Sequence, residues 1–284
     1  MRGAVSEATS GISSMRTVRA FVSKGTCSEA ICHVLDRAYG HSMREEEHAS
    51  CPFAGGIAQH GYQCGQLWGA AIAAGAQAYR LFGAGAQAQT RAILAAGRAL
   101  EAFRAQNKHI DCFEITELNE NSSTMRMITF FLIKGGTVGC MRMAARYAPL
   151  AFREINAALC EEAIEVPPAP VSCAALLAEK MGASDLRVVM AAGLAGGIGL
   201  SGGACGALGA AIWLAGIKSL EEGAAKLSFK APRDLALIDR FLECTGHEFE
   251  CAAIVGRKFE SVGDHACHLR QGGCSKILDA LAAV

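Results

Sequence analysis

Apolar residues recur at intervals of three and four along most of this chain, and alternating runs of β-branched residues are nearly absent. That spacing lines up apolar side chains on one face of a helix, and the abundant alanine is the best helix former. Polar residues mark two helix starts, because Thr26-Cys27-Ser28-Glu29 has the form of a capping box and Ser172 precedes Cys173. The pattern predicts an all-α fold.

The stretch 55–75 returns later in the chain as the stretch 196–216. The two windows are 21 residues long and match at ten positions without a gap, including both paired glycines and the step Cys64-Gly65, repeated as Cys205-Gly206. We therefore predict two tandem helical units, related by a pseudo-two-fold axis and packed through Gly/Ala-rich helices. Such a chain would be a fused dimer of a single-unit ancestor.

The boundary between the copies is predicted from the proline-rich stretch 166–170, Val-Pro-Pro-Ala-Pro. Proline cannot continue a helix, and a proline-rich segment is a stiff, extended linker. The predicted units are 1–165 and 166–284. The full length of 284 residues is enough to bury a sizeable core in either a two-domain or a single pseudo-symmetric arrangement.

One uncharged run of thirty residues, 188–217, is long enough to cross a bilayer. Nine of its residues are glycines, which should break it into two short helices. Irregular backbone exposed to lipid is costly, so we predict a buried helical hairpin and no membrane span.

The chain has 27 basic and 27 acidic residues, so its bulk charge gives no reason to bind nucleic acid or an anionic membrane. Its first seven residues lack the apolar core of a secretory signal, which indicates a cytoplasmic protein. The thirteen cysteines are then expected to be mostly reduced. No pattern identifies a redox partner protein, and homo-oligomerisation is left open.

Four cysteines occur in the same order in each unit: Cys27, Cys64, Cys112 and Cys140, then Cys173, Cys205, Cys251 and Cys274. Glycine-rich turns precede the second and fourth members, which predicts that three of the four in each unit lie at helix N-termini. The free amides and the partial positive charge of a helix N-terminus favour thiolate over thiol. Thiolate is the form that binds metals and attacks disulfides.

The spacing of the cysteines narrows the kinds of metal or redox site that the chain can form. The chain has no Cys-x-x-Cys and no Cys-x-x-Cys-His, so a thioredoxin-like dithiol, a zinc ribbon and covalent c-type haem lose support. It also lacks the closely spaced cysteines of ferredoxins. Four thiolates brought together from separate helices would suit an iron–sulfur cluster or tetrahedral zinc.

These residues resemble a redox-active family named for its cysteine pattern, C-GCAxxG-C-C. The stretch 196–208, which contains Gly203-Ala204-Cys205-Gly206-Ala207, is similar to its central motif, and Cys27-Ser28-Glu29-Ala30 is similar to its first segment. Cys112 and Cys251 resemble the third cysteine, and Cys140 and Cys274 the fourth. The family resembles a module found beside haem in split-Soret cytochromes, which implies an iron–sulfur role; haem is not carried over, because its attachment motif is missing.

The second copy departs from that pattern. Ala210 stands where a glycine is expected, with Gly209 one place early, and Cys173 is displaced by about four residues relative to Cys27. In the first copy, Gln66 replaces the alanine of the motif. We expect the first site to be wetter and more polar, and the second to be dry and incomplete.

Other cysteines and histidines have plainer interpretations. Cys32, Cys160 and Cys244 are predicted to pack in the core, and Cys51 fits either an additional ligand or the core. The cluster His265-Ala266-Cys267-His268 is interpreted as an exposed loop, with metal binding and a Cys267-for-Cys274 exchange as alternatives. The histidines that precede the site cysteines, His60, His109 and His247, fit either tuning groups or ordinary surface residues.

Three functions therefore compete. The first is a redox or electron-transfer protein with cysteine-ligated iron–sulfur clusters or another metal. The second is a metal-free thiol oxidoreductase or redox sensor that uses one activated cysteine per half. The third is a zinc-stabilised structural protein.

Overall fold

Helices form almost all of the regular structure in this protein. The computed structural model describes residues 11–228 and 230–283, and these residues contain fifteen α-helices and no β-strand. The all-α prediction is confirmed. The first residues, on which the absence of a secretory signal was inferred, lie outside the described residues, as does Val284 at the end of the second predicted unit.

The first half contributes eight helices: α1 (Ser14–Lys24), α2 (Cys27–Tyr39), α3 (Arg44–Ala49), α4 (Gly65–Phe82), α5 (Ala86–Asn107), α6 (Cys112–Thr116), α7 (Thr124–Ile128) and α8 (Gly136–Leu159). A 3₁₀ turn, Cys51–Phe53, precedes α4, and a π-helical turn, Thr129–Ile133, follows α7. The second half contributes seven: α9 (Cys173–Lys180), α10 (Asp185–Ala192), α11 (Gly206–Glu221), α12 (Pro232–Thr245), α13 (Cys251–Val255), α14 (Val262–Arg270) and α15 (Ser275–Ala282).

Helix α2 begins at Cys27 as predicted, but the predicted capping box does not form. The Thr26 side chain makes no capping hydrogen bond, and Glu29 pairs instead with His48 at 3.1 Å and Lys24 at 3.2 Å. In the second half the cap is complete, because the Ser172 hydroxyl accepts from the amide of Ala175 at 3.1 Å.

The two halves repeat the same local pairing around their central cysteines. Isolated antiparallel bridges join Gln63 to Asp111 in the first half and Ala204 to Glu250 in the second. Because 63 and 204 are equivalent positions of the sequence repeat, the same connection is made twice. Tandem duplication is therefore a property of the structure as well as of the sequence.

Contacts between the halves are reciprocal, as a two-fold relation requires. A Cβ on Gly75 of α4 would lie 2.5 Å from the Met190 Cα, and one on Gly216 of α11 would lie 3.3 Å from the Ala49 Cβ. Gly216 is the repeat equivalent of Gly75, and Met190 is at the position equivalent to Ala49. The pseudo-two-fold arrangement and the packing through Gly/Ala-rich helices are confirmed.

Trp68 and Gly209 occupy equivalent positions and touch each other across this axis. A Cβ on Gly209 would lie 2.9 Å from the Trp68 Cη2 and closer still to its Cζ3. The Trp68 indole is fully buried and donates to the Gln63 carbonyl at 3.2 Å. Two indoles could not share this place, so the duplicated positions have diverged into a large residue and a residue without a side chain.

The uncharged run 188–217 forms the end of α10, a glycine-rich turn and most of α11, and it is largely buried against the first half. This confirms the predicted buried hairpin. Among the described residues, the membrane-span criteria of length and hydropathy are met by no helix taken singly.

We predict that Gly209→Ala lowers the free energy of unfolding by about 1–3 kcal/mol, because the added methyl overpacks against the Trp68 ring. The measurement is urea denaturation followed by circular dichroism. Gly263→Ala is the matched control, since the nearest atom to its new methyl would be the Ser261 hydroxyl at 3.6 Å. Equal stability of the two variants would contradict the axial packing described above.

Candidate functional site: two four-cysteine centres

A left-handed backbone turn of five residues precedes the central cysteine in each half. Residues 55–59 all have positive φ, and so do residues 196–200. Three of these positions in the first turn are not glycine: Ile57, Ala58 and Gln59, with φ of 60°, 46° and 69°. Such conformations are unfavourable for L-residues and concentrate at functional sites.

The left-handed turn aims its first amide at the first cysteine of the same half. The Gly55 N–H donates to the Cys27 sulfur, and the equivalent Gly196 N–H donates to Cys173. Both cysteines are the first residues of their helices, α2 and α9. The displacement of Cys173 in the sequence is therefore absorbed by the shorter α9, and this sulfur keeps the role that Cys27 has.

The second and third cysteines are brought together by the antiparallel bridges. The Cys64 amide donates to the Ile110 carbonyl at 2.7 Å, while the Cys112 amide donates to the Tyr62 carbonyl at 2.7 Å. In the second half, the Cys205 and Cys251 amides make the same two bonds with Phe249 and Gly203, at 3.0 and 2.7 Å. Cys64 and Cys205 are the N-cap residues of α4 and α11.

The fourth cysteines are placed differently in the two halves. Cys140 lies in the second turn of α8, not at its start, so the expectation of a helix N-terminus is wrong there. Cys274 immediately precedes α15 and has a φ of 64°. The Gln66 side-chain amide donates to the Cys140 carbonyl at 3.3 Å, which ties α8 to the start of α4.

All four cysteines of the first half border one cavity of about 340 Å³, together with apolar side chains of Phe21, Leu118, Phe131 and Met143. Gln59 and Gln66 also line it, and the Gln66 Oε1 is buried without a hydrogen-bond partner. The sequence predicted this grouping of four cysteines; the cavity that they enclose was not predicted.

Neighbouring sulfurs of the first centre have pKa values shifted in opposite directions. The pKa of Cys27 is lowered from its ordinary 9.0, chiefly because the Cys64 thiol donates to it, with further help from the Gly55 amide. The pKa of Cys64 is raised by that same hydrogen bond and by burial. Burial and the charge of Cys27 raise the pKa of Cys112 and of Cys140 to about 12.

The four cysteines of the second half are also close enough to influence one another. Burial and then the charge of Cys173 raise the pKa of Cys205 to about 12. Burial and the neighbouring cysteines raise the pKa of Cys251 and of Cys274 as well. The expectation that helix N-termini would lower the pKa is wrong for four of the six cysteines to which it applied: Cys64, Cys140, Cys205 and Cys274. At Cys64 the hydrogen bond to Cys27 comes first, and at the other three the cost of burying a charge exceeds the helix effect.

In the second half, His265 makes the side-chain hydrogen bond to the first cysteine that Cys64 makes in the first half. Its side chain is 1% exposed, and its Nδ1 lies 2.9 Å from the Val171 carbonyl. Burial raises the pKa of Cys173, but the hydrogen bond from His265 and its charge outweigh burial, so that the net pKa is lowered. This contact joins residues 92 positions apart, and no local sequence signal pointed to it.

The cluster at 265–268 is therefore not an exposed loop, as the sequence suggested, but part of helix α14. His268 faces the fourth cysteine, with its Nε2 3.8 Å from the Cys274 Sγ. Cys267 is exposed and lies 3.4 Å from the Gln271 side-chain amide. Of the two alternatives for the fourth position, Cys274 is the cysteine that lies with the other three.

Of the cysteines that the sequence placed in the core, some are buried and others are exposed. Cys32 is buried in α2 and donates to Asp36 at 3.5 Å, as a packing residue would. Cys51 is buried and lies 3.9 Å from the Leu227 carbonyl of the other half. Cys160 and Cys244 are exposed, so their assignment to the core was wrong.

The histidines that precede the second and third cysteines of the first half, His60 and His109, bond elsewhere. The His60 Nδ1 lies 2.9 Å from the Ile57 carbonyl, and its ring stacks on Phe249. His109 pairs with Glu114 at 3.2 Å. These contacts favour the ordinary structural interpretation of both residues.

Within residues 11–228 and 230–283, no three His, Cys, Asp or Glu side chains converge tightly enough to hold a single metal ion. The four cysteines of the first half border their cavity instead of meeting at one point.

Comparison with known proteins agrees with the repeat. A family model described as "Putative redox-active protein (C_GCAxxG_C_C)" matches residues 26–151 and again residues 171–284. Searches of curated proteins and of solved structures gave no significant match. Since the two family matches together cover most of the chain, this protein belongs to the redox-active C_GCAxxG_C_C family and contains two tandem copies of its unit.

Proposed function

We propose that each half holds one iron–sulfur cluster on its four cysteines and that the chain transfers electrons. The first set is Cys27, Cys64, Cys112 and Cys140, and the second is Cys173, Cys205, Cys251 and Cys274. The observation that carries the proposal is that all four sulfurs of the first set border one cavity of about 340 Å³. We also propose units 1–165 and 166–284, and a cytoplasmic location that keeps these thiols reduced.

The residues around the first cavity fit such a group. Thiolates are the ligands that iron–sulfur clusters use, and the Gly55 amide donates to the Cys27 sulfur. A Cβ on Gly65 would lie only 2.8 Å from that sulfur, so glycine leaves room beside it. Phe21, Leu118 and Met143 give the cavity an apolar wall, and Gln66, which also lines it, retains a buried oxygen without a hydrogen-bond partner.

A bound cluster would supply one-electron redox chemistry. The protein's own part is to stabilise negative charge on sulfur. The Gly55 and Gly196 amides stabilise thiolate at Cys27 and Cys173, and His265 adds a further donor in the second half. Hydrogen bonds to sulfur and local polarity set the reduction potential of a cluster.

The spread of the sulfurs supports a cluster over a single zinc ion. Tetrahedral zinc holds sulfur at about 2.3 Å, which brings four sulfurs to within roughly 4 Å of one another. No such convergence occurs in the described part of the chain. An iron–sulfur cluster has more than one iron and would suit cysteines that stand apart around a cavity.

A thiol oxidoreductase is a second candidate, favoured by the contact between Cys27 and Cys64. In this pair one sulfur has a lowered pKa and its partner a raised pKa. An attacking thiolate next to a protonated thiol is the arrangement that thiol–disulfide exchange uses. The two functions are separable, because only the first requires iron.

We predict that Cys64→Ser removes about half of the bound iron and acid-labile sulfide from anaerobically purified protein, because serine is a poor ligand for soft metal centres. Cys32→Ser is the matched control and should leave both contents unchanged, since Cys32 bonds Asp36 and not the cavity. Assays of iron, sulfide and zinc, with the visible spectrum, are the measurements. Unchanged iron in Cys64→Ser would exclude Cys64 as a ligand, and stoichiometric zinc without iron would replace the cluster by zinc.

We predict two unequal midpoint potentials in a spectroscopic redox titration. Cys27, Cys112 and Cys140 are partly exposed, whereas Cys173, Cys205 and Cys251 are buried and one of them bonds His265. Solvent exposure and hydrogen bonds to sulfur both change the potential. His265→Leu should shift only one of the two midpoints. If both centres of the wild-type protein titrated at one midpoint potential, the predicted difference between the two centres would be wrong.

The thiol pair gives a prediction for metal-free protein. Because the Cys64 thiol lowers the pKa of Cys27 below 9.0, Cys27 should remain reactive as pH falls below that value. Alkylation by iodoacetamide, read by peptide mass spectrometry across pH, is the measurement. Cys64→Ser keeps a donor and should keep the low midpoint, whereas Cys64→Ala should raise it. The same midpoint in all three proteins would show that this hydrogen bond does not control Cys27.

A further inference from the structure

Six large apolar side chains are exposed on one short segment beside the first cavity. They belong to α7, the π-helical turn and the start of α8, and we call them the apolar cap: Met125, Ile128, Phe131, Leu132, Ile133 and Val138. Leu132 and Ile133 are 76% and 75% exposed. Clusters of exposed apolar side chains mark interaction surfaces.

The fold does not require this exposure. In the second half, the helix that leads to the fourth cysteine is α14, which buries Val262, His265, Ala266 and Leu269. The apolar cap of the first half has no buried residue in α7 or in the π-helical turn. Its exposed character is therefore specific to the first copy.

The segment that carries the apolar cap is basic, although the exposed Glu117 lies beside it. Residues 121–153 contain five basic residues and no acidic residue, although the whole chain has equal numbers of both. Arg126, Lys134 and Arg142 lie within or next to the cap and are exposed. Arg126 reaches Glu117 at 3.8 Å, with both side chains more than half exposed, so that pair contributes little. The equal numbers of basic and acidic residues in the whole chain gave no sign of this local excess of positive charge.

Exposed apolar side chains flanked by basic residues suit an anionic lipid surface, where the former enter the interface and the latter meet phosphate groups. A second copy of the chain fits less well, because the same basic surfaces would face each other. The segment Thr124–Ile133 and helix Gly136–Leu159 pass the length and composition test for a span only as a pair bent by 61°. That break favours lying on a membrane over crossing it.

We propose that the apolar cap inserts into the interface of an anionic membrane, with Arg126, Lys134 and Arg142 at the lipid headgroups. Phe131 belongs to the cap and also lines the first cavity, so docking would turn this cysteine centre towards the bilayer. The second centre would remain on the other half. The proposal rests on this surface alone and holds whatever the cysteines bind.

The test is sedimentation of the full chain with vesicles of phosphatidylcholine alone or mixed with phosphatidylglycerol. We expect binding to the mixed vesicles and little to phosphatidylcholine alone. The double variant Leu132→Asp/Ile133→Asp should lower the partition coefficient at least tenfold. Lys134→Gln and Arg142→Gln should each lower it about fivefold.

Leu81→Asp and Leu235→Asp are matched controls, since each replaces an exposed leucine outside the cap. They should bind as the wild-type protein does, and circular dichroism checks that every variant is folded. Failure of the wild-type chain to bind mixed vesicles would overturn the proposal. So would equal losses in the controls, or a wild-type dimer that the double variant dissociates, because the cap would then join two copies.

Discussion

The left-handed turn before each central cysteine is the constraint on which both centres depend. Glycine is required at its second position, because a Cβ on Gly56 would collide with the Tyr62 backbone and one on Gly197 with the Gly203 backbone. Hydrogen bonds from Gly61 to Gly55 and from Gly202 to Gly196, both 2.9 Å, close the two turns. Each non-glycine residue held in this conformation costs on the order of 1 kcal/mol. Keeping that strain in both copies indicates that the amide geometry at the first cysteine was retained through duplication.

The same backbone serves two chemically different centres. In the first, Cys27 receives its side-chain hydrogen bond from another cysteine, and in the second, Cys173 receives it from a buried histidine. A similar divergence occurs on the axis, where Trp68 faces Gly209. In a homodimer each unit packs against an identical copy, whereas in a duplicated chain the two units can acquire different residues at equivalent positions. One centre lies beside an exposed apolar cap, whereas three of the four cysteines of the other are buried.

Features encoded locally could be predicted from the sequence. Helix class follows from apolar spacing, and the duplication follows from ten matched positions. The four-cysteine grouping followed from their repeated order. Cys173 illustrates a limit, because its displacement suggested a damaged site while a shorter α9 restores its position.

Features set by tertiary packing could not be predicted. The pKa directions were wrong for most cysteines, because burial depends on helices far apart in the chain. Cys160 and Cys244 lie in apolar helical patterns and still face outward. His265 looked like a loop residue, since nothing near position 265 indicates a contact with position 173. The left-handed backbone conformation of residues 57–59 could not be predicted either, because Ile57, Ala58 and Gln59 are residue types typical of helices or strands.

The most direct measurement is anomalous diffraction at the iron absorption edge from crystals of anaerobically purified protein. We predict iron density in the cavity bounded by Cys27, Cys64, Cys112 and Cys140, and a second iron site among Cys173, Cys205, Cys251 and Cys274. Crystals that show no iron at either place, with Cys27 and Cys64 joined as a disulfide or with zinc on the cysteines, would contradict it.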